Sequence, residues 1–181
     1  MPRVGVVVSR YNASITDELM EGAATAYANR CGNTDNVVFV PAPGAFELTA
    51  ISAELAASGR FDAIVALGCI IKGETAHDHH LGRAVTDGLT RISIDHRIPV
   101  GLGVLTVNNA KQARDRAGGG GRGGKLGNKG EEAMSAALDT LAVIRAVRAG
   151  GGERRAGELE SSRSIPDKAS RPAAKKKAGR R

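Results

Sequence analysis

Four short apolar runs rich in β-branched residues recur along the chain: VGVVVS (4–9), NVVFVPA (36–42), AIVALGCII (63–71) and VGLGVLTV (100–107). They are too apolar to keep one face in water, a pattern that suits central strands of a parallel sheet. Between them the apolar residues fall at helical spacing. Residues 16–30 open on Thr16, a predicted N-cap, and place Leu19, Ala23 and Ala26 on one face. Residues 45–58 carry Phe46, Leu48, Ile51 and Leu55, and residues 78–95 carry Leu81, Val85, Leu89 and Ile92. A short helix is predicted over 109–116 and a last one over 130–148. No repeat with a period of about 20 to 50 residues is visible. The order βαβαβαβαα predicts an α/β fold: a four-stranded parallel sheet with helices on both faces, connected right-handedly. In such sheets ligands bind beyond the carboxyl ends of the strands, so the strand-to-helix junctions carry the candidate chemistry.

Composition adds boundaries to this picture. The 181 residues include no Trp, and aromatics make up 3%, so the core must be built from Val, Ile, Leu and Ala. No apolar run approaches the roughly 20 residues of a membrane span. The N-terminus runs straight into a strand pattern, without a signal-peptide layout. Cys31 and Cys69 form no C-x-x-C pair, which points to a reducing compartment and a cytoplasmic protein. The net charge is +7, but it is unevenly placed. Residues 150–181 hold ten Lys or Arg against four Asp or Glu, a balance of +6; residues 1–149 hold sixteen against fifteen, a balance of +1. We therefore expect a folded domain over 1–149 and a disordered basic tail over 150–181, too poor in large apolar residues to offset its ordering entropy. Contact with nucleic acid is expected only through that tail.

The first junction, SRYN, offers the ring of Tyr11 and the amide of Asn12 just before a helix. The second, APGAFEL, turns sharply at Pro43 and Gly44 and brings Ala45, Phe46 and Glu47 to a helix start, where free backbone N–H groups and a favourable place for a carboxylate coincide. The third delivers KGETAHDHH at the end of a strand: Gly73 lets the backbone turn, Glu74 and Thr75 follow, and His77 begins a helix. His77 and His80 are three apart, yet no second ligand cluster exists. His96 lies at the far end of the same helix and Cys69 inside a strand, so no metal is expected and His77 suits proton transfer. The fourth junction groups Arg114, Arg116, Lys125 and Lys129 around a glycine-rich loop, a cationic corner fit for a phosphate. GGGGRGGK is followed by Leu126, so it is not a nucleotide-binding P-loop. Flat rings, hydrogen-bonding groups, one imidazole and a cationic corner suit a planar, polar heterocycle reacting with a small phosphorylated compound.

At these junctions the sequence resembles the lumazine synthase family. The matching pieces are RYN, TDELMEGA, PGAFEL, FDAIVALGCIIKGET-x-H, GLTRISIDHRIPVGLGVLT, QARDRAG and GNKGEEAMSAAL, in family order over about residues 3–145. The resemblance implies a three-layer α/β/α sandwich of the flavodoxin-like type and an enzyme of riboflavin biosynthesis. Such an enzyme condenses 5-amino-6-(D-ribitylamino)uracil with 3,4-dihydroxy-2-butanone 4-phosphate and needs neither metal nor organic cofactor. Position by position, it implies that His77 transfers protons, Tyr11 stacks on the pyrimidine, and Arg116 holds the phosphate, flanked by Glu74 and Thr75. Asn12, Ala45, Phe46, Glu47, Ile70, Ile71 and Lys72 would line the pyrimidine and ribityl pocket. Leu102, Arg116 and Lys129 would reach the site from a neighbouring subunit of a ring of five.

Three departures stand out. HDHH places Asp78 directly after His77 and His79 where an Asp is usual, which leaves open which carboxylate orients His77. Leu102 stands where many members have an aromatic ring. The loop after Arg116 is roughly five residues longer than usual, an insertion tolerated at surfaces. Its bulk favours an isolated pentamer or decamer over a closed shell of about sixty subunits. Two other readings are a flavodoxin-like binding domain without catalysis and a nucleic-acid binder acting through its tail.

Overall fold

The computed structural model describes residues 1–118 and 127–151. The middle of the glycine-rich loop, with Lys125, and the basic tail beyond Gly151 lie outside the described residues. The order is β1 (Val4–Ser9), α1 (Ala13–Cys31), β2 (Val37–Ala42), α2 (Glu47–Ala57), β3 (Ala63–Ile71), α3 (His77–Asp95), β4 (Val100–Val107), α4 (Ala110–Ala117) and α5 (Lys129–Arg148). The four strands pair in parallel in the order β2-β1-β3-β4.

Only β1 and β3 are central. Val4, Val6, Val7, Ile64, Val65 and Leu67 are fully buried, each contributing roughly 1.5–3 kcal/mol of hydrophobic stabilisation. β2 and β4 are edge strands, contrary to the expectation that all four would be central. β4 alternates between buried and accessible residues, leaving Leu102 51% exposed, and β2 leaves Phe39 39% exposed. A four-stranded open sheet has two edges, and apolar composition alone does not say which strands occupy them.

Helices cover both faces. Val4, Val6, Val65 and Leu67 pack with Leu19, Tyr27, Met134 and Leu138 on the side of α1, α4 and α5. Val7, Ile64 and Ile70 pack with Leu48 and Leu55 on the side of α2, while Ala66 meets Val85, Leu89 and Ile92 of α3.

The start of α1 differs from expectation. Thr16 is not its N-cap: the helix begins at Ala13, after Asn12 in the left-handed conformation (φ 61°, ψ 45°). Asparagine tolerates that region, so the helix is entered four residues before the expected cap. Thr16 is buried within the helix, and its hydroxyl donates to the Ser9 carbonyl at 2.8 Å, tying α1 back to the end of β1.

The Gly127–Gly130 segment is a structural knot. Asn128 Oδ1 caps α5 by accepting from the amides of Gly130 (2.8 Å) and Glu131 (3.3 Å). Its Nδ2 donates to the carbonyls of Glu18 in α1 (2.8 Å) and Ala117 at the end of α4 (2.6 Å). One carboxamide thus joins three helices. Around it, a Cβ on Gly130 would lie 1.9 Å from the Leu19 carbonyl oxygen, and one on Gly22 would lie 2.3 Å from the Asn128 side chain. Ala117 and Asn128 also form an antiparallel bridge, which pins both ends of the long loop. A loop clamped in this way pays little for extra length.

Asn128→Ala should therefore lower stability by about 2–4 kcal/mol, since it strands two carbonyls and uncaps α5. Ser52 is the counter-case: its hydroxyl is buried and unpartnered among the described residues, so Ser52→Ala should be neutral or stabilising. Urea midpoints at fixed protein concentration distinguish the two variants.

Candidate active site

The strand order reverses between β1 and β3, and the crevice opens at their carboxyl ends, as expected for such a sheet. A cleft of about 840 Å³ lies there, lined from three junctions. The first supplies Tyr11 and Asn12. The second supplies Gly44, Ala45, Phe46 and Glu47. The third supplies Cys69, Ile70, Ile71, Lys72, Gly73, Thr75, His77, Asp78 and Leu81.

The local chemistry follows from how each junction folds. Asn12 Nδ2 donates to the Cys69 carbonyl at 2.9 Å, so the end of β1 is latched to β3 across the floor of the cleft. The left-handed backbone of Asn12 and this bond together fix the carboxamide. Tyr11, next to it, is 72% exposed, and Phe46 across the cleft is 61% exposed. Glu47 opens α2, and its carboxylate folds back over Gly44, where a Cβ would sit 2.9 Å from Oε2. Ile70 is buried and Ile71 half-buried in the wall, whereas Lys72 is exposed at the rim.

The third junction is an N-terminal turn. Thr75 Oγ1 lies 3.4 Å from the His77 amide, and Asp78 Oδ1 lies 3.4 Å from the Gly73 amide, two long hydrogen bonds that hold the turn. The carboxylate of Asp78 is therefore directed to backbone, and His77 stands exposed at the mouth of the cleft.

The helices that point at the cleft differ from those that do not. None of α1, α2 and α3 has a side-chain cap, whereas α4 and α5 are capped by Asn109 and Asn128. At the starts of α2 and α3 the Leu48 and Thr49 amides reach the Ala45 and Phe46 carbonyls at 3.3 and 3.4 Å and the His77 amide reaches Thr75 Oγ1 at 3.4 Å, long bonds at the place where a polar or anionic ligand would lie.

Of the residues expected at one site, ten line this cleft: Tyr11, Asn12, Ala45, Phe46, Glu47, Ile70, Ile71, Lys72, Thr75 and His77. Four do not. Glu74 is exposed on the loop outside it. Leu102 lines a separate depression of about 210 Å³ between α3 and β4. Arg116 is half-buried on α4 and donates to the Gln112 carbonyl at 3.2 Å, and Lys129 is ion-paired with Glu132 at 2.5 Å. None of these fourth-junction residues thus lines the cleft within one protomer. The chain after β4 leads into α4, which packs with α1 and α5 on the side opposite α2 and α3, and sequence order does not reveal that side.

Cys69 belongs to the cleft floor and was not singled out from the sequence as a site residue. It is 2% exposed, and burial pushes its thiol up to about 11. Among the described residues no group of three or more His, Cys, Asp or Glu is placed to hold a metal. No helix among them is long and apolar enough to cross a membrane.

Comparison with known proteins gives a consistent result. The family model described as 6,7-dimethyl-8-ribityllumazine synthase matches residues 1–145. Curated relatives of that name include one from Frankia casuarinae, 47% identical over 143 residues, which cover 79% of this chain and 86% of the relative. Another, from Salinispora arenicola, is 48% identical over 115 residues, covering 64% and 67%. A third, from Porphyromonas gingivalis, is 41% identical over 117 residues, covering 65% and 73%.

The two thiols of the chain should separate in an alkylation experiment. At about pH 8.5 the folded protein is expected to take up iodoacetamide at half-buried Cys31 and to leave Cys69 unmodified, because only thiolate reacts. In denaturant both should react. Peptide mass spectrometry checks this, and rapid native labelling of Cys69 would contradict the buried, protonated thiol.

Proposed function

The chain belongs to the 6,7-dimethyl-8-ribityllumazine synthase family, and we propose how its residues divide the work. The enzyme is a transferase of riboflavin biosynthesis. It condenses 5-amino-6-(D-ribitylamino)uracil with 3,4-dihydroxy-2-butanone 4-phosphate to 6,7-dimethyl-8-ribityllumazine, releasing phosphate and water. The observation that carries the assignment of roles is the convergence of two exposed rings, two uncapped helix starts and one histidine on a single cleft.

Tyr11 and Phe46 provide flat surfaces for the pyrimidine. Asn12 has committed its N–H to Cys69, so its Oδ1 remains to accept from a ligand N–H or O–H. Glu47 is an acceptor for ribityl hydroxyls, and Ala45, Ile70, Ile71 and Lys72 form the wall beside them. The amine attacks the ketone, and the carbinolamine loses water to give a Schiff base. Phosphate is then eliminated, and the second amine closes the ring on the remaining carbonyl with loss of a second water. Each stage moves a proton, and His77 is placed to carry it at the cleft mouth. Most of the remaining acceleration comes from holding two reactants in one orientation.

The phosphate needs a cation. Among the described residues of the protomer, Lys72 is the only Lys or Arg lining the cleft. Arg116, with Leu102 and Lys129 beside it, serves the cleft of an adjoining subunit, and Thr75 and Glu74 flank the phosphate from the cleft's own chain. This division favours a ring of five subunits, alone or doubled, with the long loop after Arg116 opposing a closed shell.

His77→Ala should slow the chemical step by about tenfold or more and leave pyrimidine affinity largely intact. Arg116→Ala should raise KM for the phosphorylated ketone far more than for the pyrimidine. Lumazine absorbance in a two-substrate assay reads both, and unchanged turnover in His77→Ala would remove its role. Light scattering should give the mass of five or ten chains; hollow particles of about sixty would refute the loop argument.

A further inference from the structure

The domain's near-neutral balance conceals a segregation of charge. At the amino ends of the strands, opposite the cleft, five exposed arginines gather: Arg3, Arg60, Arg97, Arg145 and Arg148. Contacts link them into one group. Arg3 and Arg60 hold their guanidinium carbons 5.4 and 5.6 Å from the centre of the Phe61 ring. The Arg3 amide donates to Asp62 at 2.7 Å, and Arg145 pairs with the other oxygen of that carboxylate. Arg148 donates to the Arg97 carbonyl at 2.8 Å, and Arg97 itself sits in the left-handed region at φ 51°.

Acid is outnumbered in this group. Asp62 is the acid in contact with it, Asp35 stands nearby, since both carboxylates act on Tyr27, and exposed Asp95 ends α3 two residues before Arg97. Among the described residues only Arg145 of the five has an ion pair; the guanidinium groups of Arg3, Arg60, Arg97 and Arg148 have none. Helix α5 ends at this same rim with Arg148, and the sequence that follows, residues 152–181, adds ten basic residues against four acidic ones.

We infer that the arginine rim at the amino ends of β1, β3 and β4 binds the phosphate backbone of a nucleic acid, single-stranded RNA being the simplest case. Guanidinium forks match phosphate oxygens in pairs, and grouped unpaired forks concentrate that attraction on one surface. The two guanidiniums held by Phe61 are restrained in place, which lowers the entropy lost on binding. The site is independent of the cleft, which lies at the other end of the sheet.

The test uses the full chain and a fluorescein-labelled single-stranded RNA of about 20 nucleotides, followed by anisotropy at several salt concentrations. The unaltered protein should bind, with affinity falling steeply as salt rises. The double variant Arg60→Gln, Arg97→Asn keeps the tail and an asparagine suited to positive φ. It should bind about fivefold or more weakly, with a salt slope shallower by about 1.4, or 0.7 for each lost contact. Its lumazine-forming rate should be unchanged, which also reports that it is folded; if the pair impairs folding, Arg60→Gln alone should show half the slope change. Absence of RNA binding, or unchanged affinity in a folded rim variant, would overturn the inference. So would binding to phosphatidylserine vesicles without binding to RNA.

Discussion

Burial of β1 and β3 on both faces is the constraint from which the rest follows. These two strands carry Val4, Val6, Val7, Val65 and Ile64, all fully buried, and they satisfy their apolar surface only if helices cover the sheet above and below. Parallel pairing then sends every strand the same way, so the turns after them share one edge. Because β1 lies between β2 and β3, the chain leaves β1 and β3 in opposite directions, and a crevice opens between them. The cleft exists because two central strands cannot be covered any other way with these connections.

Much of this was legible. The strand runs matched closely because β-branched clusters bounded by turn residues leave little choice, and β3 and β4 agree to the residue. The start of α1 was not legible: Thr16 has the chemistry of a cap, but Asn12 can adopt a left-handed turn that Thr cannot cheaply adopt, and the earlier start wins. Edge and central strands were also indistinguishable, since β2 and β4 are nearly as apolar as their neighbours. At the site, the residues adjacent in sequence to β1, β2 and β3 were found together, because strand order guarantees their proximity. Arg116, Lys129 and Leu102 were named from resemblance, and nothing in one protomer draws them to the cleft. Cys69 was overlooked because a cysteine inside an apolar run reads as core, which it also is.

Capping separates the helices by role. Asn109 and Asn128 spend their side chains on α4 and α5, whose starts serve the fold. The helices that begin at the cleft commit no side chain to a cap, and the Leu48, Thr49 and His77 amides at the starts of α2 and α3 make only long bonds within their own turns. Asn128 shows the opposite allocation: all its hydrogen-bonding capacity is consumed by three helices. Charge differs between the ends as well: five arginines gather at the amino edge of the sheet, whereas the cleft at the carboxyl edge is lined, among the described residues, by rings, acceptors and a single lysine.

The alternation of side chains along β3 has a chemical consequence for an enzyme that handles a reactive ketone. Ile70 packs on the α2 side with the cleft, whereas its neighbour Cys69 sends its sulfur among Val6, Leu67 and Leu105 on the opposite side and gives the cleft its backbone carbonyl. A thiolate beside such a ketone would add to it and form a hemithioketal, diverting reagent from the amine. Burial on the far side keeps this sulfur out of the electrophile's reach and favours its protonated form.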